Sequence, residues 1–306
     1  MLNLTAHDLI ERLSYDVLTR QLPKLLQVET ESPQRHVHTL RNQGEPDATL
    51  LLMPAWAEGM GGVKLVNVTP GNLKRGLPAV TASYLLFDAI TGEHLALLDG
   101  GELTARRTAA VAAIAADRLA SAQAHDLLLV GSGRIASELA FAYRAVRDIR
   151  SVEVHSQTQA NAEKLAHHLR DNGFNAHASH DLQASAAKAD IIACATLSNA
   201  PLIKGEWVRA GQHVALIGGY LKDMREGDDL LMTEGQVWVD SYAAMSEAGD
   251  LTQPIAAGLL HHEAIRGTLA DLCRVAAIDG RSEAVTVFKS VGDAAQDLAA
   301  ASLAVG

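Results

Sequence analysis

From residue 126 the chain reads Asp-Leu-Leu-Leu-Val, runs directly into Gly131-Ser132-Gly133-Arg134-Ile135-Ala136, and continues as a helical pattern. A nucleotide pyrophosphate needs this order of features. Glycine at 131 permits a tight turn, glycine at 133 lets backbone N–H groups approach phosphate oxygens, and alanine at 136 lets the helix pack closely on the strand. The first helical turn adds unpaired N–H groups and the positive end of the helix dipole. A second apolar run, Val152–His155, follows at the spacing of a dinucleotide-binding βαβ unit. Where that strand ends, a carboxylate would accept both ribose hydroxyls and a cation would pair with a 2′-phosphate. His155-Ser156-Gln157-Thr158 offers neither. Without a carboxylate nothing discriminates against the phosphate, and Ser156, Gln157 and Thr158 can each donate to it. NADP is therefore favoured over NAD, with either compatible. Thr196, closing a third apolar run, and Val291-Gly292 complete the candidate cofactor contacts.

Such a turn has to be mounted on a parallel sheet. Runs at Asp126–Val130, Val152–His155, Ile191–Thr196, Val214–Gly218 and Val237–Asp240 alternate with helical stretches such as Ile135–Val146 and Ala160–Asp171. Strands alternating with helices predict a Rossmann-type, doubly wound α/β fold over residues 108–290. Residues 1–107 have another texture, with alternation in Leu50–Pro54 and Gly62–Val68 and turn signals at Pro70-Gly71 and Thr91-Gly92, and predict a separate α+β domain. It opens on a helix capped by Thr5 and Asp8 that buries Leu9, Ile10 and Leu13. A helix over Thr104–Ala120 bridges the two domains, and a C-terminal helix, Ala294–Val305 within the segment 291–306, completes the first.

The 306 residues carry 26 Lys+Arg against 36 Asp+Glu, a net charge of −10, with no basic run longer than Arg106-Arg107. That excludes a generic nucleic-acid binder, whose affinity comes from clustered cations. The stretch Thr108–Ala116 is too short to span a bilayer, which takes roughly 20 apolar residues. The N-terminus carries no basic flank ahead of an apolar run, so a cytoplasmic setting is expected. Two cysteines support neither a disulfide framework nor a thiolate metal site, and no metal is expected. Cys194 reads as a small buried hydrophobe, His261-His262-Glu263 as a solvated turn of helix, and His36 and His38 as sharing one face of a strand.

Met53-Pro-Ala55, Gly62-Val-Lys64-Leu-Val66, Gly76-Leu-Pro78, Asp99-Gly-Gly-Glu-Leu-Thr-Ala-Arg-Arg107-Thr108 and Thr286-Val-Phe-Lys-Ser-Val-Gly292 occur in that order. Together they resemble the ornithine cyclodeaminase/mu-crystallin family over nearly the whole chain. The resemblance implies a two-domain NAD(P)-dependent oxidoreductase, homodimeric through the sheet of its substrate-binding first domain, acting on small α-amino or α-imino acids. It implies that Lys64, Arg107 and Arg35 meet the substrate, the arginines at its carboxylate, and that Thr108 contacts the cofactor phosphates. The chemistry is reasonable: arginine grips a carboxylate with a planar fork, and lysine in an apolar setting is a compact cation with a movable pKa. A snorkelling Lys64 and a solvated helix face at Arg106 or Arg107 are equally compatible with the residues alone.

One position departs from the family. After the fifth strand, members that are cyclodeaminases carry an aspartate where this chain has Tyr220, in Gly218-Gly219-Tyr220. Oxidative deamination of ornithine needs a base to deprotonate an ammonium, whereas reduction of an imine does not. The expected activity is therefore reduction of a cyclic imine 2-carboxylate to an L-amino acid. Ornithine cyclodeamination, an alanine-type dehydrogenase and a non-catalytic nucleotide binder are the alternatives. A shift in register could bring Asp223, Asp228 or Asp229 to the vacant carboxylate position.

Overall fold

A computed structural model describes residues 1–306, the side chain of Leu73 excepted. Its contacts divide the chain into two compact units, residues 1–107 with 293–306, and residues 108–292.

The first unit holds strand β1 (Leu2–Leu4), helices α1 (Ala6–Arg12) and α2 (Tyr15–Leu25), and strands β2 (His36–Leu40), β3 (Ala48–Ala57), β4 (Met60–Val68), β5 (Val80–Asp88) and β6 (His94–Asp99). The strands form one sheet in the order β1-β6-β5-β4-β3-β2, antiparallel except for the β1–β6 pair. Alternation gives the sheet two different faces. Met53, Ala55, Val66, Tyr84, Leu86, Ala96 and Leu98 are buried, whereas Trp56, Leu65 and Leu97 on the other face stay exposed. The Thr5–Asp8 capping box forms as expected, and Leu9 and Leu13 are fully buried. Ile10 is 46% exposed, contrary to expectation. It sits one residue, hence about 100°, round the helix from Leu9, outside the i, i+4 stripe.

Helix α3 (Gly100–Leu119) begins four residues earlier than the Ala-rich pattern suggests, because Asp99 Oδ1 accepts from Glu102 N at 2.7 Å and caps the end. The helix runs unbroken across the boundary between residues 107 and 108.

The second unit continues with β7 (Asp126–Val130), α4 (Ala136–Arg144), β8 (Ser151–His155), α5 (Gln159–Asp171), β9 (Ala176–Ala178), α6 (Leu182–Lys188), β10 (Ile191–Cys194) and β11 (His213–Leu216). It closes with α7 (Asp229–Glu234), β12 (Gln236–Val239), α8 (Ala244–Glu247), α9 (Gly249–Ala256), α10 (Leu269–Leu272) and β13 (Thr286–Lys289), before α11 (Ala294–Val305) returns to the first unit. Its seven strands are all parallel, in the order β12-β13-β11-β10-β7-β8-β9. Every residue of β10, β11 and β13 is buried, as helices on both faces of a parallel sheet require. Strand order reverses between β7 and β10, which makes the carboxyl ends of these two strands the switch point where doubly wound sheets bind ligands. Thr196 and Gly218, read as strand ends, lie in loops just beyond β10 and β11. No helix among the described residues is long and apolar enough to cross a membrane.

Candidate active site

In the first unit, alternation along β4 turns Lys64 to the buried face, level with Tyr84 on β5 and Met53 on β3. Its ammonium lies 2.7 Å from Asp297 Oδ2, and Arg107 Nε donates to Asp297 Oδ1, also at 2.7 Å. Arg107 Nη1 donates to Gln296 Oε1 at 2.9 Å. Both cations are 3% exposed and Asp297 not at all. Gly62 makes room for this arrangement, since a Cβ there would fall 2.1 Å from the Tyr84 hydroxyl oxygen.

One carboxylate thus faces two buried cations, leaving a surplus of positive charge. The pKa of Lys64 is lowered to about 8, chiefly by burial, with Asp297 opposing the fall and Arg107 and Arg35 adding to it. Arg35, half-buried in the segment before β2, is therefore within electrostatic reach of the cluster. Asp297 is held below the usual carboxylate range by Arg107 and Lys64 against the opposing effect of burial. Arginine has five N–H donors and lysine three, so Arg107 and Lys64 keep donors that Asp297 and Gln296 do not use. Arg106 stands apart: its Nε donates to Leu13 O at 2.8 Å and its guanidinium lies 4.6 Å from the centroid of the Tyr15 ring. Sequence reasoning gave Asp297 no role, yet it is the counter-ion of the cluster. The available signal was a single charged residue on an Ala-rich helix.

In the second unit, the two glycines after β7 serve different ends. Gly131 has φ +117°, and a Cβ there would meet Ala195 O at 2.4 Å, so the fold itself demands glycine. A Cβ on Gly133 would meet nothing within 4 Å. The space beside Gly133 is open and Ile135 at the start of α4 makes no side-chain cap, but Ser137 N and Glu138 N already donate to Gly133 O and Ile135 O, so what the helix start offers a pyrophosphate is the glycine turn itself. Ala136 is buried against the sheet. Gly133→Val is expected to weaken dinucleotide affinity by ~10-fold or more with an unchanged melting temperature, and Gly131→Val to lower the melting temperature itself. Titration calorimetry and a thermal melt check both, and wild-type affinity in Gly133→Val would take the dinucleotide away from this turn.

Ser132 Oγ and Ser156 Oγ are hydrogen-bonded at 2.7 Å, tying the turn to the end of β8. Gln157 is exposed, and Thr158 caps α5 by accepting from Asn161 N. Arg134 is exposed and pairs with Glu138. Thr108 is buried on α3. Val291 and Gly292 donate their backbone N–H groups to Asp240 Oδ2, at 3.0 and 2.7 Å. Any cofactor contact they make runs through other atoms.

Tyr220 is half-buried, packed against the apolar core of the second unit. Asp228 caps α7 and accepts from Gly205 N, Asp229 pairs with Arg225, and Asp223 is exposed. The carboxylate that reaches Gly218 is one that sequence reasoning did not single out, Glu226, whose Oε2 accepts from Gly218 N at 2.8 Å while Oε1 accepts from Thr196 N at 2.7 Å.

The sequence profile of the ornithine cyclodeaminase/mu-crystallin family matches residues 4–305. The chain belongs to this family. Among its relatives, the Delta(1)-pyrroline-2-carboxylate reductase of Paracoccus denitrificans is 40% identical over 263 residues, covering 85% of this chain and 83% of the relative. The ketimine reductase mu-crystallin of Mus musculus is 35% identical over 255 residues, 82% of this chain and 78% of the relative. The solved structure of the Thermococcus litoralis Delta(1)-pyrroline-2-carboxylate reductase, in complex with NADH and L-proline, superposes with a TM-score of 0.92 at 30% identity, covering 100% of this chain and 96% of that one.

Proposed function

We propose that this member of the family is a nicotinamide-dependent reductase that converts a small cyclic imine 2-carboxylate to the L-amino acid. The observation that carries the reading is the surplus of buried positive charge around Asp297. An unpaired buried charge is expensive, and a substrate carboxylate is the partner that relieves it. Arg107 and Lys64 retain N–H donors for that carboxylate, and Arg35 adds a third cation. A proline-sized imine acid matches the substrate named for the two reductases.

The second unit supplies the nucleotide side. Gly131, Ser132, Gly133, Arg134, Ile135 and Ala136 are assigned to the pyrophosphate, with Thr108 beside them. Ser156, Gln157 and Thr158 are assigned to the adenosine ribose, and Thr196, Val291 and Gly292 to the nicotinamide end. With no carboxylate after β8, NADP is preferred to NAD. A bound nicotinamide supplies the hydride, which goes to the imine carbon, while the nitrogen carries a proton. Tyr220 puts a phenol, a poor base at neutral pH, where cyclodeaminases carry an aspartate. That favours reduction over ornithine cyclodeamination. A cytoplasmic homodimer belongs to the same reading, supported by the apolar sheet face bearing Trp56, Leu65 and Leu97.

The test follows NADPH and NADH absorbance with five- and six-membered cyclic imine carboxylates beside L-ornithine and L-alanine. Rapid oxidation with an imine acid and little ammonia from ornithine is expected, and Tyr220→Asp is expected to raise the latter. Proline and ammonia from ornithine without imine reduction would reverse the assignment, and no turnover of any of them would leave a nucleotide-binding protein.

A further inference from the structure

A second buried charge cluster lies at the carboxyl ends of β10, β11 and β13, wholly within the second unit. Glu226 Oε1 accepts from Thr196 N and from Thr196 Oγ1, at 2.7 and 2.9 Å, and Oε2 accepts from Gly218 N at 2.8 Å. One side chain therefore bridges the loops that follow two neighbouring parallel strands. Asp250 Oδ1 accepts in turn from Glu226 N and Gly227 N, at 2.8 and 2.9 Å. Asp250 Oδ2 lies 2.9 Å from the ammonium of Lys289, the last residue of β13. Glu226, Asp250 and Lys289 are completely buried.

The backbone above is shaped to this cluster. A Cβ on Gly218 would fall 1.9 Å from Thr196 O and 2.6 Å from Glu226 Oε1, and one on Gly219 would lie 3.2 Å from Asp250 Oδ2 and 3.4 Å from Lys289 Nζ. Bare peptide thus separates the charges from whatever occupies the carboxyl edge of the sheet. Burial, with Asp250 adding to it, raises the pKa of Glu226 above the usual carboxylate value against the opposing pull of Lys289. Each of its oxygens already accepts an N–H, which favours the ionised form. Two carboxylates then face one ammonium, a surplus of negative charge that mirrors the positive surplus around Asp297.

We infer that Glu226, backed by Asp250, is a positioning residue that also acts electrostatically. It fixes Thr196 and the Gly218-Gly219-Tyr220 turn, and it favours the positive charge that a nicotinamide ring acquires when hydride leaves it. This rests on the proposed nicotinamide-dependent reduction. Hydride passes with its electron pair to the imine carbon, the nitrogen carries a proton, and the ring is left one unit more positive. A fixed, water-excluded negative charge at the strand ends needs no reorganisation to stabilise that change.

The test is the ratio of dissociation constants for oxidised and reduced cofactor, measured by calorimetry or fluorescence with NAD and NADP in both forms, on wild type and Glu226→Gln. A purely structural role weakens both forms alike. The inference predicts that Glu226→Gln shifts the ratio against the oxidised form by about tenfold and lowers kcat with little change in KM for the imine acid. If Glu226→Gln does not fold, the same ratio is measured on Asp250→Asn at a temperature where it is folded, its amide oxygen still accepting from Glu226 N and Gly227 N while its NH2 group faces the Lys289 ammonium, and a shift in the same direction is expected. Folded variants with the wild-type ratio would overturn the inference alone, whereas a wild-type protein that binds neither form would remove the nicotinamide reading on which it rests.

Discussion

Asp297→Asn is expected to abolish measurable imine reduction and to destabilise the fold by about 3–5 kcal/mol, the usual consequence of removing one partner of a buried ion pair. The asparagine oxygen can still accept from Arg107 Nε, but its NH2 group then points at the Lys64 ammonium, where Oδ2 now lies at 2.7 Å. Two buried cations are left with no anion. Because Asp297 raises the pKa of Lys64 while burial, Arg107 and Arg35 lower it, the variant lysine deprotonates more readily and relieves part of the strain by losing its charge. The catalytic loss therefore exceeds what the loss of stability alone would produce at temperatures where the variant is folded. Urea denaturation with steady-state kinetics checks both quantities. A variant with wild-type stability and turnover would show that Asp297 is not the counter-ion on which Lys64 and Arg107 depend.

A comparably large effect is expected from Lys64 itself. If the ammonium binds the substrate carboxylate, kcat/KM for the imine acid falls as pH rises through about 8, where Lys64 loses its proton in the folded protein. Lys64→Met removes that limb of the profile and lowers kcat/KM by ~100-fold or more, mostly through KM. Stability runs in the opposite sense. Between about 8 and 10.5 the unfolded chain holds this proton and the folded one does not, so the lysine's contribution to stability declines as pH falls from 10.5 to 8 and is constant below. The form in which Lys64 can work is thus the form in which its burial is least favourable. A kcat/KM profile flat from about pH 7 to 10 would contradict the assignment.

The parts of this protein that could be read from its sequence are contiguous ones. The glycine turn with its strand and helix, the Thr5–Asp8 cap and the helix Ala294–Val305 each depend on residues within a few positions of one another, and the structure has them. The charge clusters are different. Arg107 meets Asp297 across 190 positions and Thr196 meets Glu226 across 30, and no local pattern announces which carboxylate will turn inward. Val291 and Gly292 show the same limit from the other side. Their motif marks them out, but their N–H groups are taken by an aspartate just beyond β12, 51 and 52 positions away. Ile10 failed for a simpler reason, the angular width of a two-turn helix.

The place of α11 has a consequence for how the protein comes to exist. Residues 108–292 are continuous in sequence and can complete their sheet as soon as they have been synthesised. The first unit has all its strands earlier but not its full core, because the helix that carries Asp297 is translated after everything else described above. Until then the nascent chain holds Lys64 on β4 and Arg107 on α3 without the anion that they share. Closing that long loop is entropically slow relative to local folding, so the substrate-binding charge cluster is expected to be the last feature of the molecule to form, and the stage most exposed to chaperones and proteases.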